Sequence, residues 1–434
     1  MRRRRMHAGS ADPLLNYVFA VQGHSTFEQA RAKGPIPTFV RTSADTRFSE
    51  AGVLEELANN IPSLTHDPVT GVSYGLQVPR STVNEARNNR AAGATNGVIG
   101  SGGVLPTDWT MFAGTTGLSR EVVGTGTEDG LPYCDLRFFG TATAGQTETR
   151  QTSTTAVAAL QNEVWTTSRY VRLVGGDFTN VTSKKVEIQE RDSGGAWLGS
   201  SGGSIAPTVA ALKTQRGSHT RTLAEATTAF ITEALTFAVD AGAVDFTVRV
   251  AGAQLEEVPL ATPLVLTDAG GSSTRAQGSP TIALSSVPGF DETAFTMYFE
   301  GMTDSINNGS QTLVQIDAGS NANRHRIYVR ASADDIVGHT TVSSSETALI
   351  FAGTLAAGTP FKALYAVEAN NIALFLDGAQ IGATDTSAAL PTALTTVRFG
   401  VNQGADQPLA SGYCSRFVIW NGRQPDVFGQ RITA

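Results

Sequence analysis

The chain has 434 residues, a net charge of −7 and only 16% charged side chains. That length exceeds one ordinary core and fits two to four domains at about 150 residues each. An acidic chain is repelled by phosphate backbones, which excludes general nucleic-acid binding. Abundant Gly, Ser, Thr and Ala exclude a long-helix protein and a disordered one.

Arg2 to Arg5 form a basic run ahead of Met6. Two readings stand, an arm that touches a negative surface or a solvated start, and terminal charge runs favour the second. No apolar core follows the arginines, so the pattern is not that of a secretory signal and implies release by lysis or within a larger particle. No window holds 18 consecutive apolar residues, so no membrane-spanning helix is expected.

Residues 1–95 read as an irregular N-terminal docking region. Thr26 to Lys33 and Ser49 to Asn60 carry short-helix signals, with Ser49 as an N-cap. Pro35, Pro37, Pro62, Pro68 and Pro79 interrupt the rest, and Gly71 to Val78 reads as a strand after a turn at Asp67-Pro68. Such punctuation predicts a strap held by a neighbouring surface. Residues 88–107, rich in Gly, Asn and Ala, read as a linker.

Residues 96–262 predict a jelly roll. Ser168 to Val174 and Lys185 to Gln189 read as strands, and Asp245 to Val250 alternates cleanly. There Phe246, Val248 and Val250 share one face, and Asp245, Thr247 and Arg249 share the other. Period two with one polar face means a half-buried antiparallel strand. Gly175-Gly176, Ser193-Gly194-Gly195 and Ala241-Gly242 supply turns.

Pro259 to Pro280 reads as a second connector, and residues 281–434 as a second sandwich. Its strands are Phe295 to Glu300, Gln311 to Ile316, Arg324 to Arg330, Phe361 to Val367, Ile372 to Leu376, Thr395 to Gly400 and Arg416 to Trp420. Asp377-Gly378 between apolar runs is a hairpin signal, because both turn positions need positive φ. The fold class is mainly β, two antiparallel sandwich or jelly-roll domains behind an irregular docking region.

Three segments carry a family resemblance. Thr38-Phe39-Val40-Arg41-Thr42-Ser43-Ala44-Asp45-Thr46, with Asp67-Pro68-Val69-Thr70-Gly71 downstream, is similar to the opening of a common type of tailed-phage and prophage virion protein. The family has Ala at the position of Asp45. Ala253-Gln254-Leu255-Glu256-Glu257, Ala261-Thr262 and Thr274-Arg275-Ala276 resemble the stretch that closes its carbohydrate-binding-like jelly roll, without that pattern's glycine and Tyr-Ile pair. Leu374 to Gly378, Val397 to Gly400 and Phe417 to Asn421 resemble late strands of a concanavalin A-like, laminin-G-like sandwich. The resemblance implies a virion component, a tail fibre or head spike subunit, assembled in the host cytoplasm and exposed on the particle. It would be a homo-oligomer, a trimer first and a pentamer second. Its N-terminal region would bind other virion proteins, and its sandwiches would face host surface polysaccharide.

Chemistry is sparse. No P-loop and no Gly-x-Ser-x-Gly turn occur, and the six histidines lack metal-ligand spacing. Cys134 and Cys414 read as two buried free thiols. A capsule depolymerase would need two carboxylates about 5–10 Å apart. Asp334-Asp335 and Glu187 with Glu190 are the nearest pairs, and strand alternation splits both. The protein is therefore expected not to be an enzyme. Sugar binding asks only for exposed aromatic faces with polar neighbours. Trp109, Tyr133 and Trp197 are the candidates, while Trp165 and Trp420 read as core. No cofactor is expected unless calcium sits at a sandwich rim, where Asp317, Asn321 and Asp334 would be its ligands. An architectural decoration protein without ligand is the alternative reading.

Overall fold

A computed structural model describes residues 12–434 apart from 154, 304–308, 332 and 410–411. The Arg2 to Arg5 run lies outside the described residues. Strands dominate, in two antiparallel sandwiches.

The first sandwich spans residues 97–256. One sheet runs Arg216–Thr222, Val164–Asp177, Gly242–Glu256, Leu131–Ala142, Leu118–Glu128 and Gly97–Val98. The facing sheet runs Thr110–Ala113, Gly145–Arg150, Phe230–Val239, Val181–Arg191 and Trp197–Ser204. The alternation read at Asp245 to Val250 holds: Phe246, Val248 and Val250 are fully buried. Phe138, Phe237 and Phe246 meet with ring centroids 5.0–5.4 Å apart. Burying each such ring stabilises the fold by about 1.5–3 kcal/mol. One ion pair, Arg169 with Glu233, is sealed in this interior with both side chains at zero exposure. Burial holds the Arg169 guanidinium down to about 9.

The second sandwich draws on both ends of the chain. One sheet runs Arg31–Lys33, Leu15–Val18, Tyr413–Asn421, Ala294–Met302, Phe361–Glu368, Ile372–Leu376 and Ala379–Asp385, with Ser63–His66 and Ser73–Gln77 added beside Tyr413–Asn421. The facing sheet runs Ser345–Thr354, Asp335–Val342, Arg324–Arg330, Gln311–Asp317, Thr396–Phe399, Ser279–Ala283 and Thr38–Val40. Asp377 and Gly378 make the expected hairpin turn, at φ 45° and 87°. Cys134 and Cys414 are free and buried, and burial pushes the Cys134 thiol up to about 12.

The leading region differs from the sequence reading. It needs no neighbouring subunit for its pairing, because the chain itself supplies the partners. Leu15 to Val18 pair with Ile419 to Arg416, and Leu15, Tyr17 and Phe19 are fully buried in the second core. Only Phe27–Ala30 is helical, one turn closed by a Thr26/Gln29 capping box, before the backbone extends as Arg31–Lys33. Ser49 to Asn60 is not a helix. Asp45–Phe48 and Leu54–Leu57 form a hairpin, and Ser49 caps its turn by accepting from Val53 N at 3.3 Å. Leu54 and Leu57 are both buried in this hairpin.

Residues 88–107 are not a free linker either. Asn88 and Asn89 are buried and their amides are satisfied: Asn88 Nδ2 donates to Ala92 O and Thr107 O, and Asn89 Nδ2 to Ala253 O and Val265 O. The second connector is equally tied, through Ser273–Arg275 on Thr82–Asn84 and Ser279–Ala283 on Thr38–Val40.

These ties meet at the joint between the sandwiches. Leu54 of the hairpin packs with Leu131, Tyr170, Leu212, Ala251 and Leu264. Beside them Asp45 lies 3.3 Å from Arg41 and 3.9 Å from Arg275, all three buried. Two of the resembling segments thus converge here, with Asp45 set between two arginines.

Candidate functional site

The outward face of the sheet containing Gly145–Arg150 is built by strand alternation. Leu235, Phe237 and Ile188 point into the core, so Thr232, Thr236, Glu187, Gln189 and Arg191 point out. Register places Phe112 beside Glu148, Glu148 beside Thr236, and Gln189 beside Thr232. Trp197 pairs with Arg191 at the far edge.

On that face Arg150 Nε donates to Glu148 Oε2 at 3.0 Å, and Gln189 Nε2 donates to the same oxygen at 3.0 Å. Arg191 Nη2 donates to Gln189 Oε1 at 2.5 Å. Thr236 Oγ1 donates to Glu187 Oε2 at 2.8 Å. The result is a ladder of alternating donors and acceptors laid flat across three strands, with Glu148, Gln189 and Arg191 each buried. Burial, with Arg150 beside it, holds the Arg191 guanidinium below its usual range. Arg191 Nε is buried with no partner among the described residues.

Aromatic rings stand at both edges. Trp197 is 60% exposed and Phe112 45% exposed, with the Arg150 guanidinium 5.4 Å from the Phe112 ring. Four strand spacings separate the two edge strands, about 19 Å. Past Leu198 the edge strand beside Trp197 is small-sided, with Gly199, Ser200, Ser201, Gly202 and Gly203.

The structure does not bring the three sugar-platform candidates together. Trp197 is at the rim of this face. Trp109 is buried in the core and its Nε1 donates to Asn88 O at 3.0 Å, so neither ring face is open. Tyr133 belongs to the opposite sheet, where it packs against the joint and carries the Arg249 guanidinium 3.5 Å from its ring centre. Trp165 and Trp420 are buried, as core.

The calcium rim is corrected as well. Asp317 is fully buried, paired with Arg398 at 2.8 Å, and accepts from Gln315 Nε2 and Gly319 N. Asn321 Oδ1 accepts from Arg324 Nη1 at 2.6 Å. Asp334 lies past the other end of the Arg324–Arg330 strand, about 20 Å away. The Asp317 and Asn321 oxygens are spent on arginine and amide donors, Asp334 lies too far away to join them, and no group of three metal-ligating acids, histidines or cysteines occurs among the described residues. Glu190 is also occupied, accepting from Arg221, Ala224 N, Glu225 N and Thr228.

The ladder residues Glu148, Arg150 and Arg191 were not singled out from sequence. The signal was there in part: Gln146, Glu148 and Arg150 alternate with Thr147 and Thr149, and Lys185, Glu187 and Gln189 alternate with Val186 and Ile188.

No protein-family model and no curated protein matches the sequence. Solved structures show distant likenesses. A carbohydrate-binding module (CBM40) of the Ruminococcus gnavus IT-sialidase, bound to α2,3-sialyllactose, is 18% identical, covers 36% of this chain and 93% of its own, and has a TM-score of 0.31. The tandem CBM22 domains of a Paenibacillus barcinonensis protein are 12% identical over 77% of this chain and 97% of theirs, at a TM-score of 0.23. Domains LG4-5 of the mouse laminin α1 chain are 13% identical over 60% of this chain and 83% of theirs, also at 0.23. Scores this low carry no functional argument, so the site stands on its own residues.

Proposed function

We propose that this protein is a non-enzymatic, glycan-binding subunit of a bacteriophage-like particle, with the ladder face as its sugar site. One observation carries the binding half: a row of fixed donors and acceptors lies between two exposed aromatic rings. Sugars ask for this combination, with hydroxyls read by paired polar groups and C–H faces covered by rings. The particle half is supported by the sequence resemblance alone. A surface subunit in several copies gains apparent affinity by multivalency, so a shallow face suffices.

Affinity electrophoresis of the full chain through gels of host capsular polysaccharide tests the binding half. Retardation is expected, with Trp197→Ala weakening it about tenfold, the effect of losing one well-placed aromatic contact. Unretarded migration through every host polysaccharide would refute it. Light scattering tests assembly, with a trimer mass expected, a pentamer mass second, and a monomer mass counting against a fibre or spike. Capsid, portal or tail genes beside the coding sequence are expected if the particle role is right.

A second reading, an architectural decoration protein without ligand, is favoured by one detail. Most ladder groups already satisfy one another, which is also how a purely structural face would be built.

A further inference from the structure

A cleft opens where the two sandwiches meet. Its volume is about 290 Å³, just under the range of ordinary small-ligand pockets, about 300–1,000 Å³. The first sandwich contributes Tyr170 and Arg216, the second contributes His66, Tyr74, Gln77 and Tyr413, and the hairpin contributes Thr46 to Phe48.

Three features of its wall point to a ligand. The rings of Tyr74 and Tyr413 stack with centroids 4.8 Å apart, so each covers one face of the other and the pair lines the cleft as one aromatic block. His66, only 3% exposed, uses Nδ1 on Phe48 O at 3.2 Å, which leaves Nε2 as an acceptor in the neutral ring. That Nε2 is buried and has no partner among the described residues. Arg216 donates from Nη2 to Ser168 Oγ at 2.9 Å and lies 5.5 Å from the Tyr170 ring centre, while its Nε has no partner among the described residues. The other charged groups at the cleft are matched: Arg47 pairs with Glu55, and Asp67 accepts from Tyr74 Oη and two backbone amides. The Arg216 charge faces no carboxylate among the described ion pairs.

An acceptor that wants a hydroxyl, a cation that wants an anion and an aromatic wall that wants a C–H face describe one ligand class. We propose that the joint cleft binds a single acidic sugar ring of the hexuronate type. A ring hydroxyl would donate to His66 Nε2, the carboxylate would accept from Arg216, and the ring would lie against the stacked Tyr74 and Tyr413 pair. The site is separate from the ladder face, encloses one ring rather than a chain, and makes contacts on both sandwiches at once.

Isothermal titration of the full chain with sodium glucuronate, glucose and acetate tests this. A ligand of about thirteen non-hydrogen atoms at ordinary ligand efficiency gives a Kd of about 1 mM for glucuronate. Glucose is expected to bind about tenfold more weakly or more, because it forfeits the charged hydrogen bond. Acetate, which lacks the ring, is expected not to saturate. Arg216→Gln should bring glucuronate down to the level of glucose while retention on polysaccharide gels persists, which separates this site from the ladder face. Arg216→Lys, which keeps the charge but loses Nε, should fall between the two. Equal affinity for glucose and glucuronate, unchanged glucuronate binding in Arg216→Gln, or no saturable binding of either sugar would overturn the proposal.

Discussion

Replacing Asp45 with alanine removes the carboxylate held between Arg41 and Arg275 at the joint. Both arginines would stay buried, Arg41 at 2% exposure and Arg275 at zero, with no acid between them. Breaking a buried pair by deleting one partner costs about 3–5 kcal/mol, because the remaining charge is left uncompensated. Here carbonyl and hydroxyl groups soften the loss. Arg41 also donates to Ser43 O and Ala58 O, and Arg275 to Pro263 O, Arg80 O and Thr262 Oγ1. The expected cost is therefore near the low end, about 3 kcal/mol. With a urea slope of about 2 kcal/mol/M, the midpoint should fall by about 1.5 M. Unfolding followed by tryptophan fluorescence reads this, since Trp109 and Trp165 report on one sandwich and Trp420 on the other. Asp45→Asn keeps the shape and drops the charge. If it unfolds like wild type while Asp45→Ala does not, packing rather than charge holds the joint. A midpoint unchanged in both variants would refute the reasoning altogether.

Acid should destabilise the second sandwich. Burial holds His325 down to about 3, with His339 nearby, and holds His339 down to about 3, with Arg326 and Arg324 beside it. His325 also faces Thr340 and Phe295, and His339 lies 3.2 Å from Glu346. The unfolded chain protonates these rings near pH 6.5 and the folded chain refuses the proton, so stability is full above 6.5 and falls as pH drops toward 3. The urea midpoint is expected to be lower at pH 5 than at pH 7, and equal midpoints would contradict the burial of these rings. Trp109→Phe should lose the hydrogen bond to Asn88 O and about 1 kcal/mol of stability by denaturant titration, while glycan retention stays at the wild-type level. A loss of retention as large as that of Trp197→Ala would reopen Trp109 as a sugar contact. Gly338→Ala puts a Cβ 2.4 Å from Tyr365 Cε2 in the second core, and calorimetry should show a loss of about 1–3 kcal/mol.

Regular strands were legible because period two survives wherever one face is wet. Asp245 to Val250 and the Asp377-Gly378 hairpin were read from that signal and turn chemistry. In the leading region the strand read at Gly71 to Val78 is present as Ser73–Gln77, but most of the rest was not legible, because its strands are three or four residues long and several of their partners lie hundreds of residues away. Leu15 to Val18 carry no pattern that names Ile419 to Arg416 as their complement. The helix signal at Ser49 misled for a related reason: the same hydroxyl that caps a helix also caps a turn, and here Leu54–Leu57 pair with Asp45–Phe48 instead of coiling. Buried charges were illegible too. Nothing local marks Arg169, Glu233, Asp45 or Arg275 as interior, since a charged residue reads as exposed until its partner is known.

The joint also explains why the two faces of the first sandwich differ. Leu131, Tyr170, Ala251 and Tyr133, which contact the hairpin and connector, all come from the sheet containing Leu131–Ala142. The rest of that sheet's outer face is crowded with ion pairs, Arg137 with Asp245, and Arg249 with Asp135 and Glu128. The ladder belongs to the opposite sheet, away from those joint contacts, where its polar groups are buried and the edge rings Trp197 and Phe112 are exposed. A chain that spends its own N-terminal strands on sealing two sandwich edges and bracing a joint gains a fixed angle between two modules.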